Sequence, residues 1–406
     1  MTIESQNFIT TSCPVCHYTL ANPFFDGGRQ SLATLGWPTS CVQAQNMSLH
    51  SLDYVQCPRC THIWNRSFSY ESIPYTSNPN RMFNNGMIWQ GHLSNTKDLL
   101  LSQLPKNPTV IDIGCGEGHF VRGLSQALEL QGRFMGFDPS ATSESGLGVE
   151  FYPYYFEPLT DIPGYSPDLL IMRHVLEHLL DPAAFIDQLA WGASKIDKPV
   201  RLFAEMPCVD RMIQSKRLVD FFYEHPSQFT TQSFTTLMEQ GGQILDLAHG
   251  YDGEVIYGLI ELRVPKQYLQ TANESEDFHR QAFISKSQIK AQLQNLIGTG
   301  KKVAIWGGTG KAAAFIHYFE ANANDFSLVV DSDKDKVGTF VPKTGQLIQY
   351  RDVLKEQKID VLIIPPQWRA KDILAEMERE EIKIDLVLIE HDGRLINFLG
   401  SEHPYF

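Results

Sequence analysis

Three glycines stand at alternate positions, 114, 116 and 118, directly after the apolar run Val-Ile-Asp-Ile at 110–113. Such a run reads as a buried strand that ends in a tight turn, and residues 119–130 beyond it read as a helix. Asp138 then closes a second apolar run at 133–137. The pattern commits this stretch to strand, turn, helix and a neighbouring strand, with the turn facing any bound ligand. A bound adenosine could lie against the turn backbone, and Asp138 is placed to accept both ribose hydroxyls. Dinucleotide sites use G-x-G-x-x-G, whereas the spacing here is G-x-G-x-G.

At 406 residues the chain is too long for one ordinary core, so two or three domains are expected. Hydrophobic residues make up 43% and aromatic ones 11%, a globular and not a disordered composition. The formal charge of -13 argues against a nucleic-acid partner, because neutralising phosphates needs a basic field. No apolar run approaches the roughly 20 residues that span a bilayer, and the first residues carry neither a basic n-region nor an apolar h-region. A soluble, cytoplasmic protein without a membrane partner is expected. With no coiled-coil pattern, a monomer is the default.

Seven cysteines occur, at 13, 16, 41, 57, 60, 115 and 208. Cys13, Cys16, Cys57 and Cys60 form two Cys-Pro-x-Cys pairs. Each pair can point two thiolates at one ion, and two pairs complete a tetrahedral shell that leaves no position for a reacting water. The reading is a structural zinc ion in a small ribbon-like domain. The redox alternative for Cys-x-x-Cys lacks a βαβ pattern around it. Cys115 and Cys208 read as small buried residues.

Residues 1–75 form the expected zinc-binding domain, with a strand near 51–55. Residues 76–92, rich in amides and turn formers, read as a connector or lid within a second domain at 76–284. A helix at 93–104 leads into strands near 109–113, 133–137, 168–172 and 200–205, with a last sheet portion at 243–264. The third domain, 285–406, opens with a helix at 285–297 and repeats the strand and glycine turn at 302–311, with a second strand ending at Asp331. It reads as another Rossmann-like unit. Ile305 and Ala312 depart from the phosphate-binding G-x-x-x-x-G-K-[ST] loop, so nucleotide hydrolysis is not expected. Whether this second turn holds NAD, a substrate phosphate or nothing stays open.

Asp112, Gly114, Gly116 and Gly118 spell D-x-G-x-G-x-G. This resembles motif I of class I S-adenosylmethionine (SAM) methyltransferases, and residues 167–182, with His-Val-Leu-Glu-His at 174–178, look like the fourth strand of that fold and its succeeding helix. The likeness implies SAM as cofactor, held by the motif I residues and Asp138, with Met172, Arg173 and His174 at its methionine end. A further cluster, Tyr223, Glu224 and His225, precedes Pro226, which disfavours a helix there. It reads as a loop over the methyl donor. His225 could act as general base, Glu224 could orient it or hold a substrate hydroxyl, and Tyr223 could donate to an oxyanion.

Taken in order, the paired cysteines, motif I, the Glu-His loop and the second glycine turn resemble the three-domain, zinc-containing nucleotide-sugar C-methyltransferases, across essentially the whole chain. The expected fold is then α/β, a class I methyltransferase domain flanked by a zinc ribbon and a second Rossmann-like domain. The resemblance implies methylation, through an enolate, of a ring carbon beside the ketone of a nucleoside-diphosphate 4-keto-deoxysugar. It places the family's Glu-His pair on Glu224 and His225, and its zinc ligands on the four paired cysteines. Oxygen stabilisation would fall to Tyr223 or to Tyr75. Three other readings remain: an O- or N-methyltransferase of another polar metabolite, an NAD-dependent oxidoreductase, and a non-catalytic sugar-nucleotide-binding protein.

Overall fold

The computed structural model describes residues 8–74, 84–127, 132–140, 144–146 and 148–406. They divide into two compact units, Met1–Pro265 and Lys266–Phe406. The boundary expected at 284/285 falls inside one long helix, Lys266–Gly298.

In the first unit, Leu20–Gln30, His50–Gln56 and Ile63–Asn65 pair antiparallel, and Ile9–Thr10 joins the outer edge. A strand from far along the chain, Ser227–Gln228, closes the other edge against Ile63–Asn65. The cysteine-bearing region therefore shares a sheet with the segment just beyond Glu224 and His225.

The second sheet of this unit runs Gly242–Gly250, Val255–Leu262, Arg201–Pro207, Leu169–Arg173, Thr109–Ile113, Arg133–Phe137, Val149–Tyr152. Numbered by appearance, the strand order from the opposite edge is 3-2-1-4-5-7-6, with strand 7 antiparallel to both neighbours. Thr109–Ile113 has helices packed over both faces, which explains why Val110, Ile111 and Ile113 are all buried instead of alternating. Winding reverses between this strand and Leu169–Arg173, and that switch point opens a crevice beyond their carboxyl ends.

Most expected strands lie where the apolar runs put them. The helix expected from 93 begins six residues earlier, as Met87–Gln103, so the last part of the expected connector is helical. Gly86 caps its start in extended conformation, and its N–H donates to Asn84 Oδ1. The earlier start places Trp89 and His92 on the buried side of that helix.

The second unit has its own sheet, Ile348–Tyr350, Leu328–Asp331, Val303–Trp306, Val361–Ile363, Leu386–His391, Arg394–Asn397, parallel except for the last strand. Separate apolar cores cover its two faces, one around Phe315, Ile316 and Phe326, the other around Ile364, Ile373 and Phe398. The α/β fold class with two Rossmann-like sheets agrees with the sequence reading.

Candidate active site and metal centre

The four paired cysteines meet. Cys13 Sγ and Cys60 Sγ lie 3.5 Å apart, as do Cys16 Sγ and Cys57 Sγ, and all four sulfurs fall within 4.8 Å of one another. A tetrahedral zinc ion with bonds of about 2.3 Å asks for sulfur separations of about 3.8 Å, so the donor set fits. Both halves use one turn. His17 N–H donates to Cys13 O and Thr61 N–H to Cys57 O, and both residues take left-handed backbone, at φ 56° and 64°. Hydrogen bonding to Cys60 draws the Cys13 thiol down to about 6, whereas burial pushes Cys16 up to about 11.

The crevice of the larger sheet is a groove of about 1310 Å³. A pocket for one drug-sized ligand has about 300–1,000 Å³, so two ligands have room here. One end is the glycine turn. Gly114 takes φ 69°, and a Cβ there would stand 2.5 Å from Val175 Cγ2. Gly116 N–H donates to Asp138 Oδ2 at 2.9 Å, while Ser140 N–H and Oγ–H bind Oδ1. Asp138 thus ties turn to strand, and with Oδ1 accepting twice and Oδ2 once, one lone pair on Oδ2 is left for a ribose hydroxyl. Burial pushes the Asp112 carboxyl up to about 7; Arg173 pulls against that shift and Asp138 adds to it.

The opposite end is a buried charge network. Glu205, fully buried, accepts from Arg173 Nε at 2.9 Å, meets His92 Nε2 at 2.7 Å, and lies 3.5 Å from His174 Nε2. Burial alone would raise its carboxyl, but Arg173 and the two imidazoles hold it far below the usual range. His174, in left-handed backbone at φ 57°, stands between Glu205 and Glu177, whose Oε1 is 3.3 Å from His174 Nδ1. Burial opposes its protonation, yet these two carboxylates shift its pKa upward. Arg173 also stacks over Phe120 at 4.3 Å, which fixes its guanidinium at the groove wall.

Of the residues expected to bind a cofactor, Asp112, Gly114, Gly116, Asp138, Arg173 and His174 line the groove. Gly118 packs instead against Phe151, where an added Cβ would lie 2.3 Å from the ring, and Met172 is buried within the sheet at 1% exposure. His225 lines the groove beside His178, with ring centroids 4.7 Å apart. Burial, with His178 adding to it, brings the His225 imidazole down to about 3, so it is uncharged near neutral pH. Glu224 is fully buried, and its Oε1 accepts from Thr34 N–H and Leu35 N–H at 2.8 and 3.0 Å. The Tyr223 hydroxyl accepts from Ser69 N–H at 2.9 Å, and its ring stacks on His50, away from the groove. Tyr75 lies outside the described residues.

Glu177, His178, Glu205, His92 and Trp89 carry much of this site without a role assigned from sequence. A charged residue inside the apolar strand Arg201–Pro207 was a usable signal for Glu205. His92 gave none.

Residues 90–243 match the family model of a methyltransferase domain, and residues 265–388 match that of a C-methyltransferase C-terminal domain. The chain is a methyltransferase. Comparison with curated proteins returns no match. Solved structures similar to part of the methyltransferase include a SAM-dependent methyltransferase from Aquifex aeolicus, at 13% identity over 41% of this chain and 89% of that one, TM-score 0.31. The plantazolicin methyltransferase BpumL in complex with SAH is 15% identical over 43% and 84%, TM-score 0.33. The methyltransferase domain of bacterial-CtHen1-CN is 15% identical over 43% and 100%, TM-score 0.32. Likenesses of this size carry no argument about substrate.

Proposed function

We propose that this methyltransferase uses SAM to methylate a carbon beside a ketone, and that the ketone belongs to a nucleoside-diphosphate 4-keto-deoxysugar. The observation that carries the C-methyl reading is the match of residues 265–388 to a C-methyltransferase C-terminal domain. Groove size supports a cofactor and a substrate side by side. SAM, when bound, supplies a methyl group on a sulfonium, whose bonding electrons remain on sulfur as the methyl passes to carbon.

The chain's own residues supply the rest. Backbone at Gly114 and Gly116 lets an adenosine approach, and Asp138 Oδ2 offers its remaining lone pair to a ribose hydroxyl. His174, held between two carboxylates, faces the methyl-transfer end of the groove with Arg173. A carbon beside a ketone attacks only as an enolate, so one group must remove its proton and another must stabilise the oxygen. We assign both tasks to the cluster of Glu177, His178 and His225 at that end. The hydroxyl of Tyr223 is engaged by Ser69 and is assigned no part. Structural zinc at Cys13, Cys16, Cys57 and Cys60 would order the sheet that carries the strand after His225.

Incubation with isotopically labelled SAM and a panel of nucleoside-diphosphate 4-keto-6-deoxysugars tests the reading. A new methyl on a ring carbon by NMR, lost in His225→Asn, is the expected result. Transfer to oxygen or nitrogen, or SAM binding with no transfer to any panel member, would overturn it.

A further inference from the structure

At the end farthest from its adenine, SAM carries an anion, the carboxylate of its amino-acid part. An anion drawn into a groove away from bulk water needs a cation at its seat. Among the described residues, Lys97 and Arg173 are the two lysine or arginine side chains that line the groove. Arg173 is already engaged. Its Nε and Nη2 both lie on Glu205 Oε1, at 2.9 and 2.8 Å, and Glu205 is fully buried. Lys97 has no acidic partner among the described residues.

The helix Met87–Gln103 brings Lys97 to the groove. Trp89, Leu93 and Lys97 recur at every fourth position, so they share one face of that helix, and all three line the groove. Lys97 and Arg173 approach the same ring. Lys97 Nζ lies 6.0 Å from the Phe120 centroid, and Arg173 Cζ lies 4.3 Å from it. The free ammonium therefore stands beside the residue that the resemblance to class I methyltransferases puts at the methionine end of the cofactor. Gly123 makes room for it. A Cβ on Gly123 would stand 2.6 Å from Lys97 Nζ and 3.0 Å from Cε. Glycine inside a helix such as His119–Gln126 is less stable than alanine, and here the space it leaves is filled by the end of the lysine.

We propose that Lys97 binds the carboxylate of the methyl donor's amino-acid part through a charge-assisted hydrogen bond from Nζ. The inference rests on the reading of SAM as donor. Anchoring that end fixes how far the methionine chain reaches along the groove, and so where the methyl group stands. The other seat open to an unpaired cation is the diphosphate of a sugar nucleotide, and the test separates the two.

Calorimetric titration of the full chain reads the contact without turnover. One ligand is S-adenosylhomocysteine (SAH), the donor without its methyl group. The other is S-adenosyl-3-thiopropylamine, the same molecule without its carboxylate. The unmodified chain should bind SAH on the order of 10–100-fold more tightly than the amine. Lys97→Met should remove most of that preference by weakening SAH alone, and Lys97→Arg should keep it. Equal affinity of the unmodified chain for the two ligands overturns the proposal. So does an equal loss of both in Lys97→Met, since the lysine would then act on the shape of the groove. Weaker binding of dTDP and UDP in Lys97→Met with SAH unchanged overturns it too, and gives the lysine to the diphosphate. Absence of SAH binding in the unmodified chain removes the cofactor reading as well, whereas SAH binding without the carboxylate preference removes this inference only.

Discussion

Replacing Asp112 with asparagine should stabilise the first unit, and by more as pH rises. Asp112, next to last in the strand Thr109–Ile113, is 3% exposed, and burial lifts its carboxyl from 3.8 to about 7 despite Arg173. Between those values the folded state keeps a proton that the unfolded state has released. Unfolding free energy therefore falls as pH rises through this window, and levels off above about 7. Each pH unit inside the window is worth about 1.4 kcal/mol, so going from pH 5 to pH 8 costs the unmodified protein about 2.7 kcal/mol that the variant does not lose. At roughly 2–4 °C per kcal/mol, the gap in Tm between variant and parent should widen by about 5–10 °C. Scanning calorimetry of the cofactor-free protein at several pH values reads this directly, and titrations common to both proteins cancel in the difference. A gap that is equal at pH 5 and pH 8 would refute the reasoning, since Arg173 would then be holding Asp112 ionised throughout.

Glu205→Gln should cost about 3–5 kcal/mol, because it leaves Arg173 buried without its anion; a change in Tm of less than 2 °C would remove Glu205 from the role of network centre. Zinc analysis should give one ion per chain bound by thiolates, and Cys57→Ser should lose it together with the cooperative melting of the cysteine-bearing sheet. Tyr223→Phe should lower stability by about 1 kcal/mol through the lost Ser69 contact while leaving turnover intact, and a large fall in kcat would return the hydroxyl to the chemistry.

How much of this was legible depended on whether a residue's partner was local. Val110, Ile111 and Ile113 announce a strand because a sheet covered on both faces takes apolar residues on either side of it, and Gly114 announces its turn because a side chain there would meet Val175. The two Cys-Pro-x-Cys pairs were readable as one centre because the turn itself aims both sulfurs. Glu224 was not. Its donors, Thr34 and Leu35, lie about 190 residues away, and no local pattern could show that its carboxylate is used there and not in the groove. The start of the helix at Met87 was hidden by the amides and glycine just before it and by exposed Met87 and Ile88, which spoil an amphipathic pattern. His92 reaches Glu205 only through the packing of that helix on the sheet.

The two-residue strand Ser227–Gln228 limits how this protein can be taken apart or recombined. A chain started after residue 75 would strip that strand of its partner Ile63–Asn65 and Glu224 of its two N–H donors, beside the residue on which the chemistry is assigned. The cysteine-bearing sheet is therefore not an exchangeable accessory. Chimaeras between relatives should keep residues 1–265 intact and place their joint at 265/266, where the compact units themselves divide.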